Sequence, residues 1–420
     1  MRAHHLARIG KSLTAMFLFL SFLYVVGYRL FPFLEGLWSV YSKMILVVFP
    51  LACVFMVVCF ENSGIPAPPV SRKYVFVFLT AIALFTCIGA MNGNPARVIF
   101  IDMLVYVVIL CGFILGRRDE MWDGLRFPVM IISIFALGIG FAFTGIEIVY
   151  DHSLLSESFG YEMSSQFAFL PLMVLVSAAQ GRKSYFTSSQ FALAATVFLF
   201  LVFAKRAPVT RLAIFLAVSF MLGIFSGRRN YRRMVLTMAG LILGCVVLSQ
   251  LFPMADILQK LSSRFAGDYG FVESVTAENP RFFEVSAMMD ELDWHEIIIG
   301  RGMGGYLTGP AFMHFSQDVI SQDIEGRLYV HVGNAVPLLK GGVFLATLYF
   351  LPAVLVILLV LMRGHSKWDI SAACGTWALV YLLFQFIEGP PTYSNIGDAL
   401  ALGLVGGRIQ SLNVEWPVQT

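Results

Sequence analysis

The chain has 420 residues, of which 58% are hydrophobic and only 13% are charged. Soluble domains carry about 25% charged residues, so this chain has too little charge to cover an aqueous surface of that size. Six cysteines are too few for a disulfide scaffold, and the 14% aromatic content excludes a disordered chain. Unbroken apolar runs argue against the alternating strands of a membrane β-barrel. The composition therefore indicates an all-α, polytopic membrane protein.

Apolar segments long enough to cross a bilayer recur along the chain, since a spanning helix needs about 20 mainly apolar residues. The first follows the basic stretch Met1–Lys11 and lacks a small-residue cleavage site, so we expect an uncleaved anchor. The twelve predicted spans lie near residues 12–31, 40–60, 74–91, 98–115, 127–145, 163–179, 189–204, 208–226, 234–252, 338–362, 371–388 and 396–410.

The distribution of Lys and Arg predicts the orientation of these spans. With the N-terminus inside, seventeen basic residues fall in inner segments and six in short outer loops. Both termini are then cytoplasmic, and one loop of roughly eighty residues, from Pro253 to about Asn334, lies outside. The chain divides into spans one to nine (1–252), the outer loop (253–334) and spans ten to twelve (335–420).

A basic segment between the seventh and eighth spans departs from this inside rule. Lys205, Arg206 and Arg211 lie on the outer side, where basic residues disfavour insertion and so usually have a purpose. A lipid-linked phosphate at headgroup level is a natural partner. Ordinary snorkelling to lipid phosphates is the alternative.

The outer loop carries twelve of the 26 acidic residues and three of the seven histidines, which indicates a subdomain rather than a connector. Residues 255–265 are patterned as an amphipathic helix. A second helix is predicted to begin at Asn279-Pro280, with an apolar face formed by Phe282, Val285, Met289 and Leu292. Such helices lie on the membrane surface or over the helix bundle.

Arg281 falls in the first turn of that second helix, where an arginine opposes the helix dipole. Free backbone N–H groups and a guanidinium together form a good phosphate site. The alternative is an ion pair with Glu278 or Glu284. Asp102 and Glu388, acids near the outer ends of apolar spans, are weaker functional candidates, and Arg97 is a candidate partner for Asp102.

Two further motifs close the loop. Gly300-Arg-Gly-Met-Gly-Gly305 lacks the Lys-Ser/Thr of a P-loop and predicts a tight turn where the backbone comes close to another element. His331, just before the tenth span, is suited to be a general base near neutral pH, with a structural role as the alternative. His295 and His314 have no ligand spacing, so no metal site is predicted.

In layout and in three motifs the chain resembles the O-antigen polymerase and O-antigen ligase superfamily of integral-membrane glycosyltransferases. The layout is about twelve spans, cytoplasmic termini and one large periplasmic loop before the last spans. The motifs that carry the resemblance are Ala204-Lys205-Arg206 with Arg211, then Arg264-Phe265 with Asn279-Pro280-Arg281 and Ile299–Gly304, and finally His331 with Asn334 and Gly341-Gly342.

The resemblance implies an all-helical, GT-C-like enzyme of the bacterial inner membrane with a periplasmic active site and no cofactor or metal. It would transfer a glycan from undecaprenyl diphosphate to an acceptor sugar hydroxyl with inversion. The implied catalytic residues are the base His331 and the leaving-group arginines Arg206, Arg211 and Arg281. The implied substrate-binding residues are Lys205, Arg264, Gly300, Gly302, Gly304 and Asn334.

Partners implied are the lipid-linked donor, an acceptor (a lipid-linked repeat unit or lipid A–core), membrane lipids and a chain-length regulator, with no nucleic acid. A polymerase is expected rather than a ligase. Ligases have Asn, Ser or Gln directly after the histidine, and they have a second glycine three residues after the glycine that corresponds to Gly342. Here Val332 and Leu345 hold those positions. A flippase or transporter and a structural membrane subunit are the remaining alternatives.

Overall fold

The computed structural model describes residues 9, 12, 35–63, 72–118, 121–122, 280–308, 330, 332–333, 335–362, 379 and 396–414. All elements in this part of the chain are helices, as the sequence predicts. They are α1 (Glu35–Glu61), α2 (Arg72–Met91), α3 (Ala96–Gly116), α4 (Pro280–Glu291), α5 (Trp294–Ile299), α6 (Ala335–Met362) and α7 (Ile396–Val414).

Five predicted spans are confirmed as helices: those at 40–60, 74–91, 98–115, 338–362 and 396–410 correspond to α1, α2, α3, α6 and α7. The predicted loop helix beginning at Pro280 is also confirmed, as α4. Apart from the single residues 12 and 379, the other seven predicted spans, and the amphipathic helix at 255–265, lie outside the described residues.

Helices α2 and α3 are both long and apolar enough to cross a membrane. They differ in environment, since 28% of the apolar window of α2 is buried against 72% of that of α3. Helix α3 is therefore the centre of the described bundle, and α2 presents apolar side chains such as Phe76 and Leu79 outward. Apolar surface on that scale needs a partner other than water.

Closely spaced glycines join α3 to α7. Gly112 and Gly116 on α3, and Gly403 and Gly407 on α7, each repeat at an interval of four residues. A Cβ atom on Gly403 would lie 2.1 Å from the carbonyl oxygen of Ile109, and one on Gly407 would lie 2.0 Å from that of Phe113. The two backbones touch because glycine has no side chain, as in small-residue packing of membrane helices. Residue numbers rise in the same direction along both sides of this contact, so the two helices are parallel.

The two ends of the bundle differ in their polar contacts. At one end, Glu61 at the close of α1 pairs with Arg117 and Arg118 just after α3. At the opposite end, here called the loop end, α2 finishes and α3 and α6 begin, and residues 280–308 dock there. Helix α6 runs antiparallel to α2, because Phe85 contacts Phe344 while the Tyr74 hydroxyl donates to the carbonyl of Leu348 at 3.1 Å.

We predict that Gly403→Leu separates α3 from α7 and lowers the free energy of unfolding. Overpacking costs about 1–3 kcal/mol, and here the new side chain meets a backbone carbonyl that cannot move aside. The matched control is Ala83→Leu, which places the same side chain at an exposed position of α2. Thermal unfolding in detergent should show a lower midpoint for Gly403→Leu, and equal midpoints for the two variants would contradict the packing.

Candidate functional site

The predicted glycine turn, Gly300–Gly305, lies at the loop end between α2, α3 and α6. Gly300, Gly302 and Gly304 have φ angles of 71°, 81° and 75°, a conformation that side-chain-bearing residues rarely adopt. Three positive φ values in five residues fold the backbone of residues 300–305 into a compact turn, here called the wedge. The prediction of a tight turn at this motif is therefore confirmed.

The wedge fits against glycines of the neighbouring helices. A Cβ atom on Gly302 would lie 2.1 Å from the backbone nitrogen of Gly89 on α2, and one on Gly300 would lie 2.4 Å from that of Gly341 on α6. Helix α6 kinks at Gly341-Gly342, and Gly342 accommodates the carbonyl of Ile298 in the same way. The prediction of close backbone approach is confirmed, with glycine facing glycine at both contacts.

Backbone polar groups of the turn bond to all three surrounding segments. The Arg301 N–H donates to the carbonyl of Leu339, and the Met303 N–H donates to that of Phe85, both at 2.8 Å. The Asn94 side chain donates to the carbonyls of Arg301 and Met303 at 3.0 and 2.9 Å. Asn92 adds a bond to Arg301 at 3.1 Å. A buried turn needs such partners, because unpaired backbone groups are costly away from water.

A buried ion pair completes the docking of the turn. The Lys340 ammonium on α6 lies 2.9 Å from Asp102 Oδ2 on α3, and these side chains are 1% and 3% exposed. The same carboxylate oxygen accepts the Gly304 N–H at 2.7 Å, while the ammonium donates to the Gly305 carbonyl at 2.6 Å. Two charges from different helices thus hold adjacent backbone groups of the turn.

The candidate pairing of Asp102 with Arg97 is wrong, because Asp102 pairs with Lys340 instead. Five residues along a helix rotate a side chain by about 140°. Asp102 consequently points into the bundle and Arg97 is exposed. A buried carboxylate needs a charge at its own depth, and the first turns of α6 supply it.

Arg301 connects the turn to α4 and α5. Its guanidinium donates to Glu291 Oε1 at 2.7 Å, to Glu296 Oε1 at 3.0 Å and to the Tyr306 carbonyl at 2.8 Å, with further bonds to the Glu291 carbonyl and Glu296 Oε2. All five N–H donors of an arginine are therefore in use. Arg301 acts within the fold and has no donor left for a diphosphate.

Glu296 shares this network and caps α5. Its carboxylate accepts the Asp293 N–H at 3.1 Å in a reciprocal capping box. Partial burial opposes its ionisation, but the bonds from Arg301 and from the Asp293 backbone hold the pKa of the carboxyl below its usual value. Glu296 thus stays ionised at neutral pH, which keeps the bonds to Arg301 charge-assisted.

Helix α4, which carries Arg281 in its first turn, packs beside the segment around His331. Met288 of α4 and Leu292 just after it share one hydrophobic cluster with Val330 and Val332, the two neighbours of His331 in sequence. The start of α6 and Leu307 complete the cluster, through Ala335, Val336 and Leu339. The structure therefore brings together two loop segments that the sequence singles out separately.

The predicted apolar face of α4 is partly wrong. Leu292 is buried and Val285 packs at the edge of the cluster, as expected. The third position of the stripe is Met288, which is fully buried, whereas Met289 is exposed. Both methionines satisfy helical spacing from Val285, so only the position of the neighbouring segments decides between them.

The structure describes a minority of the predicted site residues. Gly300, Gly302 and Gly304 contact helices of the same chain, and Arg281 is described only as part of α4. The remaining candidates lie outside the described residues: Lys205, Arg206, Arg211, Arg264, His331 and Asn334.

The contact of the glycine turn with α2, α3 and α6 is here called the junction. The sequence analysis gave no role to three side chains that form it: Asn94, Arg301 and Lys340. A signal existed for Lys340, since a lysine inside an apolar span demands a buried acid, and Asp102 was already noted as one. No local pattern distinguishes Arg301 from an arginine that binds a ligand.

Comparison with protein-family models gives no match, and comparison with curated proteins gives none either. Among the residues that the structure describes, no three His, Cys, Asp or Glu side chains are grouped as ligands for a metal ion. The interpretation of this junction therefore depends on its own residues and contacts.

We predict that Asp102→Asn and Lys340→Met each destabilise the docked turn by about 3–5 kcal/mol, because each leaves a buried charge without its partner. The double variant should cost less than the sum of the two, since it leaves no lone charge. Thermal unfolding and protease digestion of the loop measure this. Lys73→Met, which removes an exposed lysine of α2, is the control, and fully additive losses would argue against coupling.

A second prediction concerns the glycine contact between α2 and the turn. Gly89→Leu should release the turn, because even a Cβ atom at Gly89 would lie 2.1 Å from the Met303 carbonyl. The adjacent substitution Ala90→Leu adds the same side chain at an exposed position and should leave the turn in place. Faster protease cleavage near residues 300–305 in Gly89→Leu alone is the expected result, and equal cleavage of both variants would disprove the contact.

Proposed function

We propose that the chain is a glycosyltransferase that transfers an undecaprenyl-diphosphate-linked glycan to an acceptor sugar hydroxyl, acting as a surface-polysaccharide polymerase. The observation that carries this proposal is the junction at the loop end. There the glycine turn, the helix bearing Arg281 and the neighbours of His331 pack together on one scaffold. Loop residues positioned by a rigid scaffold are the usual arrangement of an active site.

Helix directions support a membrane topology with this junction on one face. If each long helix crosses the bilayer, successive spans alternate in direction, so two parallel spans must have an odd number of other spans between them. Helices α3, α6 and α7 are parallel, which requires an odd number of spans between α3 and α6 and an odd number between α6 and α7. The predicted spans supply five between residues 127 and 252, and one at 371–388. We assign the loop end to the periplasm and the Glu61–Arg117 end to the cytoplasm of the bacterial inner membrane.

The proposed chemistry suits the residue types. His331 takes the proton of the acceptor hydroxyl as its oxygen attacks the anomeric carbon and the bond to the diphosphate breaks, with inversion. Negative charge grows on the diphosphate, and guanidinium groups aimed at it lower the barrier. Arg206, Arg211 and Arg281 are assigned this role.

The start of α4 supports the assignment of Arg281. Helix α4 begins at Pro280 and runs for twelve residues, and the first turn of a helix is a favourable place for an anion. Arg301, the other arginine described in this segment, is fully engaged within the fold. A division of labour follows, in which Arg301 stabilises the loop and Arg281 meets the diphosphate.

A polymerase is preferred to a ligase because of Leu345 as well as Val332. Leu345 is fully buried and its Cβ lies beside Gly341, only 2.3 Å from where a Cβ on that glycine would be. The side chain therefore fills the inner side of the α6 kink. A glycine at this position, as in the ligase pattern, would leave a cavity there.

The test uses His331→Ala and Arg281→Ala in a host that lacks the native gene, with its lipopolysaccharide separated on a gel. A polymerase defect leaves core bearing a single repeat unit, which is the result that we expect for both variants. Bare core with polymer retained on the lipid carrier would identify a ligase instead. An unchanged ladder in both variants would refute the catalytic assignment.

Matched controls replace a histidine and an arginine that are exposed in the described part of the chain. His295→Ala removes an exposed histidine of α5, and Arg97→Ala removes an exposed arginine of α3; both should keep the normal ladder. Equal protein levels in isolated membranes separate a catalytic defect from a folding defect.

A further inference from the structure

The short helix α5 exposes an apolar surface beside α6. Trp294, Ile298 and Ile299 are 75%, 51% and 44% exposed, and the adjacent Val343 and Phe344 of α6 are about equally so, at 50% and 48%. These five residues are here called the α5–α6 patch. Helix α5 packs on α6, with Ile297 against the buried cluster that contains Leu339, and the patch itself stays exposed.

The level of this patch along the bundle is set by contacts with α2. The Ile298 carbonyl fits against Gly342, the neighbouring Gly341 abuts the Phe85 ring, and the rings of Phe85 and Phe344 are 6.2 Å apart. Phe85 comes six residues before the end of α2 at Met91, a distance of about 9 Å along the helix. The isoleucines therefore lie beside the apolar part of α2 and not above its end.

The turn that follows α5 is built for an environment without water. Its backbone groups bond to Leu339, Phe85, Asp102 and Lys340, and its glycines are buried. Non-helical backbone at membrane depth is tolerated only when protein satisfies its polar groups. The turn meets this condition at the same level as Phe85.

Polar side chains come before the apolar end of α5. Asp290 and Asp293 are exposed acids, and His295 next to Trp294 is exposed as well. The Glu296 carboxylate is bonded within the protein, and Ile297–Ile299 carries no polar side chain. Tryptophan favours the headgroup region, because its ring is apolar with one polar edge. The polar residues of α5 thus lie at its start, around Trp294, and its apolar residues lie at its end.

We propose that α5 enters the bilayer leaflet at the loop end, with Ile298 and Ile299 among the acyl chains and Trp294 at the headgroups. The partner is lipid because the patch continues the outward apolar surface of α6 and α2 at the same level. Helix α5 and the glycine turn together form a re-entrant segment that anchors the outer loop in the membrane. This proposal does not depend on glycosyl transfer.

The test places the full-length protein in nanodiscs of phosphatidylcholine brominated on its acyl chains, which quenches tryptophans that touch lipid. Trp294 is one of six tryptophans, so its signal is the difference between the wild type and Trp294→Phe. That signal should be quenched by the brominated lipid. Ile298→Trp in the Trp294→Phe background should be quenched more strongly, because it lies deeper.

Asp290→Trp in the same background is the control, and it should be quenched by aqueous iodide and not by brominated lipid. Quenching of Trp294 and of Ile298→Trp by iodide to the same degree as the control would overturn the proposal. Quenching by neither reagent would also overturn it, since protein would then cover the patch. The Trp294 signal decides the question in the unmodified fold even if Ile298→Trp does not fold.

Discussion

The described arrangement depends on one buried ion pair, between Asp102 and Lys340. Burying two charges costs several kcal/mol each, and their attraction repays this only with good geometry and further hydrogen bonds. Here the further bonds go to the Gly304 N–H and the Gly305 carbonyl. Docking of the turn and stability of the pair therefore require each other, and together they join α3, α6 and a segment some two hundred residues distant from α3.

The glycines make this electrostatic contact sterically possible. Gly89 and Gly302 allow the turn to pack closely between α2 and α3. The kink at Gly341-Gly342 makes room for the turn beside α6 at the same level. A side chain at Gly89, Gly302 or Gly342 would clash with backbone atoms of the neighbouring segment. The resemblance implies that these glycines bind substrate, whereas in the structure they make backbone contacts within the protein.

This junction has consequences for the proposed chemistry. His331 lies four residues before the start of α6. The residues on either side of it pack against α4, so a packed scaffold surrounds the segment to which the proposal assigns catalysis. Arg301 stabilises that scaffold from within, so the proposal assigns the diphosphate to Arg281 and to the segment at 205–211. Residues held in place by their neighbours in this way keep the geometry that such a proposed site requires.

The helical class, the glycine turn, and the bounds of α4 and of five predicted spans to within a few residues follow from the amino-acid sequence alone, because apolar runs, caps and glycine spacing are local properties. Tertiary structure decided that Asp102 meets Lys340, that Arg301 is saturated, and that Met288 is buried in place of Met289. Each of these outcomes depends on which helix lies alongside and at what depth. Hydropathy and periodicity describe a segment and one of its faces, but not the neighbour that the face will meet.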